Sequence, residues 1–273
     1  MTCKLYALGF ILLQCSLASG LSLSASANPT FSNAGDSTAI AANRAELSPL
    51  VFNQSNTPSS FERGTRPSRR TSGGSRSGCS DQLVALLPGS DTIATAEAGS
   101  AVCVSASIAQ QTTTLAASPT LWFYVPAQSQ TGVQAELVLL DDNAQALSID
   151  AIELPAESGI VGVQFSQPLA AGQTYQWVFS ILTHPGAPSE NPTVEGRLQR
   201  ISPEPVLSSA LDAADEPQAR AQLLAEQGIW HDALDTVAQM RNASSDDALT
   251  RANWVSLLDS VGLGAIAQAD LVN

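Results

Sequence analysis

Lysine is all but missing from this 273-residue chain. Lys4 is the only one, so every positive side chain after it is an arginine. That removes Schiff-base, Ser-Lys and P-loop chemistry from the chain beyond position 4, because each needs an ammonium. Histidine is confined to His184 and His231. Neither stands in ligand spacing with another His or a Cys, and Cys79 and Cys103 have no neighbouring histidine, so no zinc pattern is present. A nucleophile elbow is also missing: Gly73-Gly74-Ser75-Arg76 runs into Ser77 where the motif wants Gly. The acids at Asp141 and Asp142 lack the twelve-residue calcium loop and read as a hairpin turn. No metal, cofactor or catalytic residue is expected.

Long apolar runs are scarce too. The first residues, Met1-Thr2-Cys3-Lys4, lead into an apolar stretch over 5–13 that is short of the roughly 20 residues needed to span a bilayer. Small residues then lead to Ala25-Ser26-Ala27, a small-x-small cleavage pattern. Residues 1–27 are therefore expected to be a secretory signal, with the mature chain starting at Asn28 and exported to the periplasm or beyond. Leu12-Leu13-Gln14-Cys15 leaves a lipidated reading open, although Gln14 sits where that motif wants a small residue. Nothing of spanning length follows, so no transmembrane segment is expected after cleavage.

Of four cysteines, Cys3 and Cys15 would leave with the signal. Cys79 and Cys103 remain as an even pair in an oxidising compartment, which points to a disulfide worth roughly 3 kcal/mol. Two unpaired thiols are the alternative, since the Cα separation is a tertiary property.

Charge is unevenly placed. Five arginines (Arg63, Arg66, Arg69, Arg70 and Arg76) sit in one Gly-rich segment, whereas 80–273 holds 22 Asp and Glu against 5 Arg. The acidic body repels nucleic acid and anionic lipid. The segment 28–62 is polar, without a persistent apolar period, and reads as a disordered spacer. The basic segment 63–79 has two readings: an anion-binding arm, or a strap lying on the acidic body and tied down through Cys79. It has no aromatic ring on which a base could stack, and the opposite charge is on the same molecule, so the strap is favoured.

Several stretches together carry a family likeness: RGTRPSRRTSGGSRSGC at 63–79, LVALLP at 83–88, PTLWFYVP at 119–126, QTYQWVFSI at 173–181, VEGRLQRI at 194–201 and GIWHDAL at 228–234. In this order they resemble the DUF928 family of uncharacterised cyanobacterial proteins, over about 63–273. The resemblance implies no activity and no catalytic residue. Members often read Cys-Asp after the Tyr-x-Trp motif and Trp-Tyr-Asp in the helical one. This chain has Thr183-His184 and Trp230-His231-Asp232 at those places, and no shared role is carried over to them.

Aromatic residues make up only 5% of the chain, yet three of the 14 stand together in Trp122-Phe123-Tyr124, between Pro119 and Pro126. Alternation puts Leu121, Phe123 and Val125 on one face and Trp122 and Tyr124 on the other, as in a central strand buried on both sides. Seven further strand-sized runs, at 83–87, 101–105, 134–140, 146–154, 160–165, 174–182 and 194–201, predict an antiparallel, Ig-like β-sandwich over 80–203. In the run after Gly172, the alternation sets Tyr175, Trp177, Phe179 and Ile181 toward the Phe123 face. After Pro203 the period changes to that of helices, over 217–227, 230–241 and 248–261. This predicts a helical tail over 204–273: one hairpin of tetratricopeptide type plus a third helix, docked on the sandwich to bury its apolar stripe.

A sandwich of core strands without a marked polar set predicts an exported, non-enzymatic binding or structural module whose partner is an envelope protein or glycan. The rival is a carbohydrate-active hydrolase on the same scaffold. Buried Trp122 and Trp177 would favour the module; acids beside aromatic platforms in one groove would favour the enzyme.

Overall fold

The computed structural model of the chain describes residues 49–56, 68–69, 82–89, 108–109, 111–128, 131–184 and 186–272. Among them are ten strands, β1 (Ser68–Arg69), β2 (Val84–Ala85), β3 (Ile108–Ala109), β4 (Thr112–Thr114), β5 (Thr120–Val125), β6 (Gln134–Leu140), β7 (Ala146–Glu153), β8 (Gly159–Gln164), β9 (Thr174–Ile181) and β10 (Thr193–Arg200). Four helices follow, α1 (Pro205–Ala213), α2 (Pro217–Glu226), α3 (Trp230–Ala243) and α4 (Ala248–Asp259). The expected signal 1–27, Cys79, Cys103 and the run 101–105 lie outside the described residues. So do Arg63, Arg66, Arg70 and Arg76.

The fold is a β-sandwich with a helical tail. The smaller sheet has the order β2-β5-β8 and the larger β3-β1-β10-β9-β6-β7. β5 is the middle strand of the smaller sheet, and its two faces are both buried, as its ring-rich sequence requires. Phe123 crosses to the larger sheet, stacking on Phe179 at 4.1 Å and meeting Trp177 edge-on at 5.6 Å. Tyr175, Trp177, Phe179 and Ile181 are all buried along β9, with the exposure alternating as in any strand that lines a core. The Tyr175 hydroxyl also accepts from the Ala170 amide at 2.8 Å, fixing the corner between β8 and β9 much as tyrosine corners do in Greek-key sandwiches.

Two tryptophans lie flat across glycines on the next strand. Trp177 is paired with Gly196 and Trp122 with Gly162. A Cβ at Gly196 would stand 2.3 Å from the Trp177 ring, and one at Gly162 would stand 2.9 Å from Trp122. Each glycine is there because its missing side chain is the space the ring occupies.

The pairing is not wholly antiparallel. β4 joins β10 in parallel, with Leu198 opposite Thr112, and β1 joins the same edge of β10 antiparallel, with Arg69 opposite Glu195. The backbone of the basic segment thus enters the larger sheet at Ser68 and Arg69.

The helical tail has four helices, one more than the sequence predicts, because α1 precedes the three expected. α3 is its centre, with Trp230, Ala233, Leu234, Val237 and Ala238 all buried. Gly228, at φ +73°, makes the turn from α2, and the Asp247 carboxylate caps α4 by accepting from the Thr250 amide at 2.8 Å. The C-terminal residues return to the sandwich: the Ile160 amide donates to the Asp270 carbonyl and the Val272 amide to the Ile160 carbonyl, which makes a single parallel bridge beside β8.

The expected spacer over 28–62 does not extend through 49–56. Leu50 and Phe52 are buried, Phe52 meets Trp230 edge-on at 4.9 Å, and the Asn53 amide donates to the Ala225 carbonyl. Two apolar anchors in a polar stretch make no period, so the ordering comes from the helices beneath rather than from the segment itself. No described helix is long and apolar enough to cross a membrane.

Candidate functional site

A buried polar cluster joins β4 to the start of α3. Thr112, Thr113 and Thr114 are all buried, and each hydroxyl reaches toward the turn before α3 or its first residues. Thr113 Oγ1 donates to the Gly228 carbonyl at 3.0 Å. Thr114 Oγ1 donates to Asp232 Oδ2 at 2.6 Å, and the Leu115 amide donates to the same oxygen at 3.1 Å. Thr112 Oγ1 donates to the Arg197 carbonyl at 3.0 Å, so its one proton is spent and its 2.8 Å contact with His231 must be accepted from Nε2–H. His231 is then the neutral Nε2 tautomer. Its Nδ1 has no hydrogen-bond partner among the described residues.

Burial dominates the electrostatics here. It pushes the His231 pKa down to about 3, with the Thr120 carbonyl opposing. Burial also pushes the Asp232 carboxyl up, against the bonds from Thr114 and Leu115 that favour its ionised form. A hydroxyl beside an imidazole with a carboxylate on the next residue has the composition of a hydrolytic triad, but not its connectivity. Asp232 binds Thr114 rather than the imidazole, and Thr112 and His231 are 0% and 2% exposed, so no substrate carbonyl reaches the hydroxyl. The cluster is a seal between sheet and helix, completed by Trp230 Nε1, which donates to the Leu86 carbonyl at 2.8 Å.

His184 is far less constrained, exposed in the turn after β9 with Nδ1 3.0 Å from Thr183 Oγ1. The two histidines are not brought together by any described contact. Asp141 is the turn residue its sequence context suggests: Oδ1 accepts from the Asn143 and Gln145 amides at 2.8 and 2.9 Å, and the Gln145 amide above all holds its carboxyl below the usual range. Asp142 meets Arg197 at 3.5 Å. Among the described residues no three His, Cys, Asp or Glu side chains converge as metal ligands. All four tryptophans are buried, Trp122 at 7% exposure, Trp177 at 1%, and Trp230 and Trp254 at 0%.

What remains open lies on the larger sheet. β7 is its edge, and its outward side chains are exposed and partly apolar: Leu147 is 45% exposed and Ile149 62%. Sequence reasoning had only the apolar run 146–154 to go on; that the strand is an edge, with an uncovered face, depends on the pairing order.

Comparison with known proteins gives little beyond the family. No curated protein matches. Two crystal structures of the β-glucuronidase of Parabacteroides merdae, one with glycerol in its active site, are 11% and 10% identical over 54% and 57% of this chain. They match with a TM-score of 0.24, and the chain covers only 25% and 26% of their length, so they carry no argument about fold or chemistry. The model described as Domain of Unknown Function (DUF928) matches residues 64–271, and the chain belongs to that family.

Proposed function

We propose that this protein is an exported, non-enzymatic binding or structural module of the cell envelope. The observation that carries the reading is the use of its chemistry-bearing side chains. The buried histidine, the three threonine hydroxyls and the partly buried carboxylate beside them are spent on holding α3 to β4, and every tryptophan is inside. A carbohydrate-active enzyme of the rival kind needs rings and paired acids at the surface of one groove. Here the described rings are core. The basic segment containing Arg63, Arg66, Arg69, Arg70 and Arg76 is read as a strap on the body, supported by the pairing of Arg69 opposite Glu195; its partners in this reading are the molecule's own acids. The apolar start and Ala25-Ser26-Ala27 support export.

Two measurements test this. Cell fractionation with mass analysis of the recovered protein should find it in the envelope or medium, beginning at Asn28; a cytosolic protein beginning at Met1 would overturn export. Incubation with envelope polysaccharides should release no reducing ends. Release that disappears on His184→Gln, an exposed change, would replace the module with the enzyme.

A further inference from the structure

Beyond the general reading of a binding module, on which this inference rests, we propose where the partner binds and what it is: an extended, cationic segment of another protein, with apolar residues at alternate positions, adding as a strand to the free edge of β7.

The edge is open. Across the larger sheet β7 pairs only with β6, and among the described residues no backbone group of 146–153 bonds to anything else. Natural sheets blunt such edges with lysine, proline or very short strands. β7 has eight residues and neither of those types. Its guards are partial: the ladder shifts register at Leu139 and Leu140, and Asp150 takes the Ser148 hydroxyl and the Ser166 amide. The stretch from Ile149 to Glu153 pairs regularly with β6, so its other edge is regular as well.

An apolar row runs back from the edge across the outer face. Register places Ile149, Val138 and Val178 in one row across three strands. Leu182, 39% exposed, follows β9 at the end of the same sheet and donates its amide to the Gln134 carbonyl. Of the five large apolar side chains exposed among the described residues, Leu147 and Ile149 stand on this edge, and Leu182 lies at the end of β9, two strands in. Side chains from an added strand would alternate onto this row, while its backbone supplied the missing ladder.

Charge selects the partner. Residues 131–157 hold Glu136, Asp141, Asp142, Asp150, Glu153 and Glu157 and no basic residue. Only Asp142 has a described ion partner, Arg197. A second copy of this chain would bring acid against acid, whereas a cationic strand that turns its apolar side chains to the Ile149 face turns its charges to the other face, where Asp150 stands.

The probe is an eight-residue peptide of alternating Lys and Val, with a second version carrying Pro at its two central positions. Binding is followed by calorimetry, and amide exchange is read over 146–153. The alternating peptide should bind and slow exchange in β7. The Pro version, equal in charge, should bind at least tenfold more weakly, as should the alternating peptide on Ile149→Thr, an exposed change that should leave the Tm within a degree or two. Equal binding of both peptides, or no effect of Ile149→Thr, would show mere charge attraction and overturn the proposal. So would an absence of binding, or a dimer of the parent chain lost on Ile149→Lys, which would assign the edge to a second copy. None of these results bears on export or on polysaccharide turnover, so the module reading stands or falls separately.

Discussion

Acid should unlatch the helical tail at His231. Neutral imidazole is sealed against Thr112, and a folded pKa of about 3 lies far below the ordinary 6.5 of an unfolded chain. Because the folded value is depressed, the unfolded state binds the extra proton between these limits, and stability is lost as pH falls through that window. At about 1.4 kcal/mol per unit, the native state should lose roughly 3 kcal/mol between pH 7.5 and 4, out of a full gap of roughly 5. Asp232 works in the opposite sense: its carboxyl is raised, so its ionisation weakens the fold as pH rises through its folded value. Comparison with His231→Gln separates the two. The glutamine amide keeps a donor for Thr112 but cannot titrate. It should cost about 1 kcal/mol at pH 7.5 through lost packing and be the more stable protein at pH 4, so that the two curves cross. Urea unfolding at a series of pH values, followed by tryptophan fluorescence, measures this directly. Parallel curves would refute the argument, since they would mean that His231 is not buried neutral or that the junction does not report on global stability.

Trp177→Ala should cost about 3–5 kcal/mol, and Gly196→Ala about 1–3 kcal/mol by overpacking; the glycine change should be milder where Trp177 is already Leu, and strict additivity in chemical denaturation would count against the ring lying on Gly196. Changing Arg66, Arg69 and Arg70 together to Gln should lower the Tm modestly, with salt shrinking the difference; an unchanged Tm with lost retention on an anionic resin would favour a free arm. Intact mass with and without reductant should show Cys79 and Cys103 bonded in secreted material, and two thiols without reductant would remove the crosslink.

The strands that sequence makes legible are those with large side chains in strict alternation. β5 announces itself by three rings between two prolines, and β9 by Tyr175, Trp177, Phe179 and Ile181 at period two. β4 does not, because Thr112, Thr113 and Thr114 carry no apolar signal; they are buried because α3 satisfies their hydroxyls, which is settled by the tertiary fold. α1 is hidden for a related reason: Leu211 is its only fully buried residue, so it has hardly any stripe to read. The site followed the same division. Asp141 as a turn residue is local and was readable. The sealing of His231, and the openness of β7, depend on which strands become neighbours.

The two ring-on-glycine pairs have a consequence for how this sequence drifts over generations. Neither member of the Trp177 and Gly196 pair is free to change first in the larger direction, since any side chain at Gly196 enters the space of the indole. The passable order is a smaller ring first, then a larger residue on the neighbouring strand, with a loosened intermediate between them. The same holds for Trp122 and Gly162 in the other sheet. Descendants should therefore either keep both members of a pair or have exchanged both, and a lineage with only the glycine replaced should show a compensating change nearby.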